Sequence, residues 1–172
     1  MEVHNIKVKF TEVYEKESDP LFRYCLMRVS DRDKAIDIVQ DIFAELWKTY
    51  NTSEEIKNER AYLFTLARNK IIDWYRKKKS YSLDALLETE DTERPFDSPD
   101  EKAHPDIIFS AEAGRVLEAI EKLDPTYRDV LYLRFTEDLS PQEIASVLGS
   151  TASIVSVRIT RGLEKLREQF HT

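Results

Sequence analysis

Tyr62, Thr65, Asn69, Asp73 and Arg76 recur at steps of three and four residues, and the series ends in Arg76-Lys77-Lys78-Lys79. On a helix, such spacing gathers side chains onto one face. Asparagine can pair with base edges, a tyrosine ring can stack on an unpaired base, and a cationic end can hold phosphates. The same spacing also describes a solvated face whose basic end suits the helix dipole. The residues alone leave both readings open.

A second constellation runs from Leu139 to Leu166. Ser140-Pro141-Gln142-Glu143 is a helix-start signal: a serine cap, a proline in the first turn and a glutamate that caps back. A short helix to Leu148 is expected, ended by Gly149 in a left-handed conformation. A longer helix should follow from Ser150 or Thr151 to about Gln169, with Val155 and Ile159 inward. Ala145 stands where the two helices would press together. This is the layout of a helix-turn-helix, which offers its second helix to a major groove. The groove-facing set would be Thr151, Ser153, Ser156, Arg158, Thr160 and Arg161. Arginine reads guanine edges or holds phosphates, and serine and threonine do either more weakly. An ordinary helical hairpin with a glycine turn is the plainer alternative.

Asp37, Gln40, Asp41, Ala44, Glu45 and Lys48 form a third polar face. It lies opposite an apolar stripe of Val39, Ile42, Phe43, Leu46, Trp47 and Tyr50. Such a face can dock a protein, or simply be solvated. No catalytic set is seen. No carboxylate is tied by spacing to a His, a Cys or a metal-type cluster, and Asp73 beside Arg76 reads as a local pair.

Composition narrows the classes further. The glycines Gly114, Gly149 and Gly162 lie far apart, which excludes the clustered glycines of a phosphate-cradling loop. The histidines His4, His104 and His171 and the single Cys25 match no zinc spacing and allow no internal disulfide. A lone thiol fits a reducing cytoplasm. No long uncharged apolar run is present, and neither a membrane span nor a signal peptide is expected. No cofactor or metal is expected.

The formal net charge of −7 is unevenly placed: residues 1–79 carry +2, residues 80–106 carry −7 and residues 107–172 carry −2. The middle segment holds three of the six prolines and few large apolar residues after Leu87. It reads as an acidic linker, with at most a helical turn at Leu83–Leu87. The chain is therefore read as all-α, with domains at 1–79 and 107–172 joined by a linker at 80–106. In the first block, one helix carries Phe10, Val13 and Tyr14. A second starts at Asp19-Pro20 and places Leu21, Tyr24, Cys25 and Arg28 on one face. A third runs from about Asp33 to Tyr50, a polar loop covers Asn51–Asn58, and a fourth helix runs from about Arg60 to Lys79. Leu63, Ala67, Ile71 and Trp74 should face the core, and Trp47 also reads as core. In the second block, a helix from Ile108 to Leu123 precedes one started by Asp124-Pro125 that carries Val130, Leu131, Leu133 and Arg134.

Taken together, these segments resemble the extracytoplasmic-function (ECF) sigma factors of bacterial RNA polymerase. Asp37-Ile38-Val39-Gln40-Asp41-Ile42-Phe43-Ala44-Glu45-Leu46-Trp47 is similar to the family's region 2 helix. Ala67-Arg68-Asn69-Lys70-Ile71-Ile72-Asp73-Trp74-Tyr75-Arg76-Lys77 is similar to its continuation. Leu123 to Phe135, with the helix-turn-helix after it, resembles region 4. The match follows the family's order and covers most of the chain.

The resemblance implies roles that spacing does not give. Asp37, Gln40, Asp41 and Glu45 would dock the clamp helices of core RNA polymerase. Tyr62, Thr65, Asn69, Lys70, Asp73, Arg76 and Lys77, with the loop Asn51–Asn58, would open and capture the promoter −10 strand. Thr151, Ser153, Ser156, Arg158, Thr160 and Arg161 would read the duplex −35 element. The linker would thread into polymerase as an acidic mimic of nucleic acid, or serve as a plain tether. An anti-sigma factor is an expected partner, and the protein itself would be no enzyme. The recognition helix departs from the family pattern. The family usually has Lys and Ser where Ser156 and Val157 stand, and often Gly-Thr at Ser153-Ile154. Fewer cationic contacts are implied.

Overall fold

The computed structural model describes residues 2–86 and 110–171. These contain seven helices and, among the described residues, no strand. They are α1 (Glu2–Val29), α2 (Arg32–Tyr50), α3 (Glu59–Leu86), α4 (Ala111–Glu121), α5 (Pro125–Phe135), α6 (Pro141–Leu148) and α7 (Ala152–His171). The chain divides into two compact units, Met1–Pro105 and Asp106–Thr172.

In the first unit, α1, α2 and α3 share one core. Leu21, Tyr24, Ile42, Leu46, Leu63, Phe64 and Ile71 are all buried in it. The Tyr24 and Phe64 rings meet edge to face at 5.4 Å. Asp31 caps α2 by accepting a hydrogen bond from the Lys34 N–H at 3.0 Å. Ser30, with φ of 52°, turns the chain between α1 and α2.

The expected break at Asp19-Pro20 is absent, and α1 runs straight through Pro20. An interior proline costs about 3 kcal/mol through its missing donor and ring clash. Burying a single leucine-sized side chain contributes about 1.5–3 kcal/mol. Leu21, Tyr24, Cys25, Leu26 and Val29 are all buried after the proline. Before it, Phe10 and Tyr14 pack on Phe43 of α2 at 6.1 and 4.7 Å. Packing on both sides of Pro20 outweighs the local break. Burial also pushes the Cys25 thiol up to about 12, so it is no thiolate nucleophile.

The α3 helix extends past the expected end at Lys79 to Leu86. Residues 76–86 contain neither glycine nor proline, and nothing in them stops helix propagation. Leu83 therefore lies in the same helix, whereas Leu87 and the rest of the acidic segment fall outside the described residues. So do Ile108 and Phe109, and α4 starts at Ala111 behind a Ser110 cap.

In the second unit, Val130, Leu131, Leu133, Leu139, Ile144 and Val155 form the core. Gly162 of α7 lies against α5, where an added Cβ would sit 3.1 Å from Leu131 Cδ1 and 3.3 Å from Tyr127 Cβ. A small residue is required for α7 to approach α5 this closely.

A candidate nucleic-acid interface

The helix-turn-helix is assembled by local hydrogen bonds. Ser140 Oγ accepts from the Glu143 N–H at 3.2 Å, and the Glu143 carboxylate accepts from the Ser140 N–H at 2.7 Å. Together these bonds satisfy two free donors at the start of α6. Gly149 adopts φ 62° and ψ 41°, and its N–H reaches the Ala145 carbonyl. The Ser150 N–H reaches the same carbonyl at 2.9 Å. Thr151 then caps α7, its Oγ1 accepting from the Ile154 N–H at 3.3 Å. The turn is thus specified within a dozen residues of sequence.

This frame leaves one side of α7 outward. Val155 and Gly162 are buried, and Ile159 is half-buried. Ser153, Ser156, Thr160 and Arg161 are exposed on the opposite side. Thr151 is exposed at the helix start, and Arg158 is half-buried at the flank. The Thr160 hydroxyl donates to the Ser156 carbonyl of its own helix at 3.1 Å. Two residues outside the expected polar set share the outward side: Ile154 is 45% exposed and Val157 49% exposed. A contact set chosen for hydrogen-bonding side chains passes over them.

In the first unit, α3 brings the expected strand-contacting residues onto one face but uses them unequally. The Tyr62 hydroxyl is 2.9 Å from Thr49 Oγ1, joining α3 to the end of α2. The Thr65 hydroxyl donates to the Ala61 carbonyl at 2.7 Å. Both residues are half-buried. Asn69, Asp73, Arg76 and Lys77 are exposed. Asp73 pairs with Arg76 at 3.0 Å within the helix. Tyr75 donates from its hydroxyl to the Arg28 carbonyl, tying α3 to the last turn of α1. The Lys78 ammonium lies 5.0 Å from the Trp74 ring centre. Of the two tryptophans expected in the core, Trp74 is half-buried and Trp47 is 38% exposed. Trp47 packs edge to face on Phe10 at 5.1 Å and is partly open to solvent.

On α2, Asp37, Gln40 and Asp41 are exposed, while Glu45 is half-buried. Glu45 Oε2 lies 3.2 Å from Lys70 Nζ of α3. The expected docking set and the expected strand-contacting set therefore meet at this pair. Among the described residues, no cluster of His, Cys, Asp and Glu could hold a metal ion. Among the same residues, no helix is long and apolar enough to cross a membrane.

Comparison with known proteins bears on the same two units. The model for Sigma-70 region 2 matches residues 13–81, and that for Sigma-70, region 4 matches residues 113–166. The RNA polymerase sigma-E factor of Streptomyces antibioticus is 30% identical over 168 residues, covering 96% of this chain and 86% of that protein. The ECF RNA polymerase sigma factor SigX of Bacillus subtilis is 27% identical over 163 residues, covering 92% of this chain and 82% of its own. In fold, the chain is similar to the sigma factor RpoE of Bartonella quintana, solved with the anti-sigma factor NepR. That likeness has a TM-score of 0.68 at 22% identity, over 95% of this chain and 98% of the other. The two polar units, in this order and with these relatives, place the chain in the extracytoplasmic-function group of RNA polymerase sigma factors, a family of transcription initiation factors.

Proposed function

We propose that the chain acts by binding alone: it docks on core RNA polymerase and directs it to promoters with two spaced elements. The exposed Asp37, Gln40 and Asp41, with Glu45 beside them, are assigned to the polymerase dock. The exposed Asn69, Asp73, Arg76 and Lys77, with Lys70, Tyr62 and Thr65 behind them, are assigned to the −10 strand. Thr151, Ser153, Ser156, Arg158, Thr160 and Arg161 are assigned to the −35 duplex. The expected domains 1–79, whose last helix runs on to Leu86, and 107–172 are assigned these tasks separately. The observation that carries this reading is that one chain presents both polar surfaces, one on each matched region.

The second block is net negative, so its own affinity for DNA is weak, and tethering through polymerase raises its effective concentration at the upstream element. The solved relative RpoE was captured with an anti-sigma factor. The same kind of partner, masking the two polar surfaces, is proposed here. A cytoplasmic setting follows from that task and from the single buried thiol.

Reconstitution tests the reading. The protein is mixed with core polymerase, transcription is run on fragmented genomic DNA, and RNA 5′ ends are mapped. Discrete starts sharing two upstream motifs are expected. Binding to core without any specific start would leave an interaction module. Absence of binding to core would reject the sigma role.

A further inference from the structure

We propose that Ile154 and Val157 read thymine methyl groups in the major groove, so that part of this chain's −35 specificity is apolar. The inference rests on the promoter-reading role of α7 and names what that helix recognises.

Four observations converge on it. First, the core does not use these side chains: Ile154 and Val157 remain 45% and 49% exposed, while Val155 and Gly162 supply the buried face of α7. Second, they lie among Ser153, Ser156, Thr160 and Arg161, the exposed residues of the same helix side. Third, residues 150–163 contain Arg158 and Arg161 and no acidic side chain, the first being Glu164. This helix face is therefore locally cationic in a unit that is negative overall, and polyanionic duplex is the partner that such a face suits. Fourth, the two residues are three positions apart, which makes them neighbours on the helix surface. Their axial separation of about 4.5 Å is close to the rise of ~3.4 Å between successive base pairs.

The chemistry on the DNA side is specific. The C5-methyl of thymine is an apolar group on the major-groove edge. An isoleucine or valine can meet it through van der Waals contact and shed water from both surfaces. Both side chains are stiff at χ1, so little rotamer freedom is lost on contact. A serine or threonine in the same place would offer a hydroxyl and a smaller apolar surface. The outward side of α7 thus combines polar residues for base edges and phosphates with two apolar residues for methyls.

Deoxyuracil separates methyl reading from hydrogen bonding, because it keeps the base-pairing and groove acceptors of thymine and lacks only the methyl. Holoenzyme formed from the full chain and core polymerase is tested on a mapped promoter. Each upstream-element thymine is replaced in turn by deoxyuracil, with spacer thymines replaced as a control. Half-saturating template concentration is expected to rise about fourfold for each contacted methyl, and to stay unchanged for the spacer. Val157→Ser and Ile154→Thr are expected to initiate at the same promoter, with half-saturation on the thymine template raised toward the value the parent shows on deoxyuracil, and so to lose that discrimination. Equal saturation of both templates by the parent protein would overturn the inference, as would full deoxyuracil sensitivity in the variants. An upstream element without thymine would do the same. Failure of the parent protein to initiate on the thymine template would instead reject the sigma role, and the inference with it.

Discussion

Lys70 Nζ of α3 lies 3.2 Å from Glu45 Oε2 of α2, so a cation of the face proposed for the −10 strand is held by an anion of the face proposed for polymerase docking. Both side chains retain solvent contact, and the pair contributes little to stability. Its weight is positional: what binds Glu45 competes with Lys70, and what draws Lys70 away exposes Glu45. The charge swap Glu45→Lys with Lys70→Glu keeps the local pair. Its stability is expected within about 0.5 kcal/mol of the parent by thermal unfolding. Glu45→Lys alone is expected to lower core affinity and Lys70→Glu alone to lower strand opening, and the swap to restore neither. Full recovery of both by the swap would make the pair structural only.

Asp41 and Asn69 should fail in different assays. Asp41→Arg reverses a charge on the exposed side of α2 and should weaken core binding about tenfold or more. Asn69→Ala should leave core affinity intact and lower the permanganate reactivity of promoter thymines. Unaltered core affinity in the first, or unaltered reactivity in the second, would remove that residue from its assigned surface.

Arg158 sits half-buried at the flank of α7, which suits a phosphate or an edge base pair. Arg158→Ala should reduce run-off transcription from promoters with the upstream element by roughly tenfold, in line with about 1–3 kcal/mol for an arginine contact. Core affinity should be unchanged. Equal run-off yield would reject the contact.

The same substitution should have opposite signs at two glycines. At Gly114 an added Cβ meets nothing within 4 Å, so Gly114→Ala should stabilise α4 by about 0.5–1 kcal/mol. At Gly162 the added Cβ meets Leu131 at 3.1 Å and Tyr127 Cβ at 3.3 Å. Overpacking costs about 1–3 kcal/mol and helix propensity returns about 1. Gly162→Ala should therefore be net destabilising by about 1 kcal/mol. Denaturant midpoints of the full chain decide both.

What was legible in the sequence was local. The capping box at Ser140 and Glu143 and the left-handed Gly149 are set by neighbouring residues, and the structure has both. The Asp73–Arg76 pair is equally local and is present. What was illegible depended on other helices. Pro20 signals a break until the cores on either side of it are counted, and α3 outruns its expected end because nothing in residues 76–86 stops it. The meeting of Glu45 with Lys70 and the loss of the Tyr62 hydroxyl to Thr49 each need two helices side by side. Ile154 and Val157 were left out for another reason: they stand out in the sequence as departures from the family pattern, and the groove-facing set is drawn from polar side chains alone.

Seen mechanically, α3 is a cantilever. Up to Tyr75 it is clamped between α1 and α2, and the Tyr75 hydroxyl fastens it to the Arg28 carbonyl. From Arg76 through Tyr81, every side chain is exposed. A load pulling on the basic run therefore acts about a fixed support at Tyr75. The span that carries Asn69 and Lys70 keeps its bearing on the other two helices.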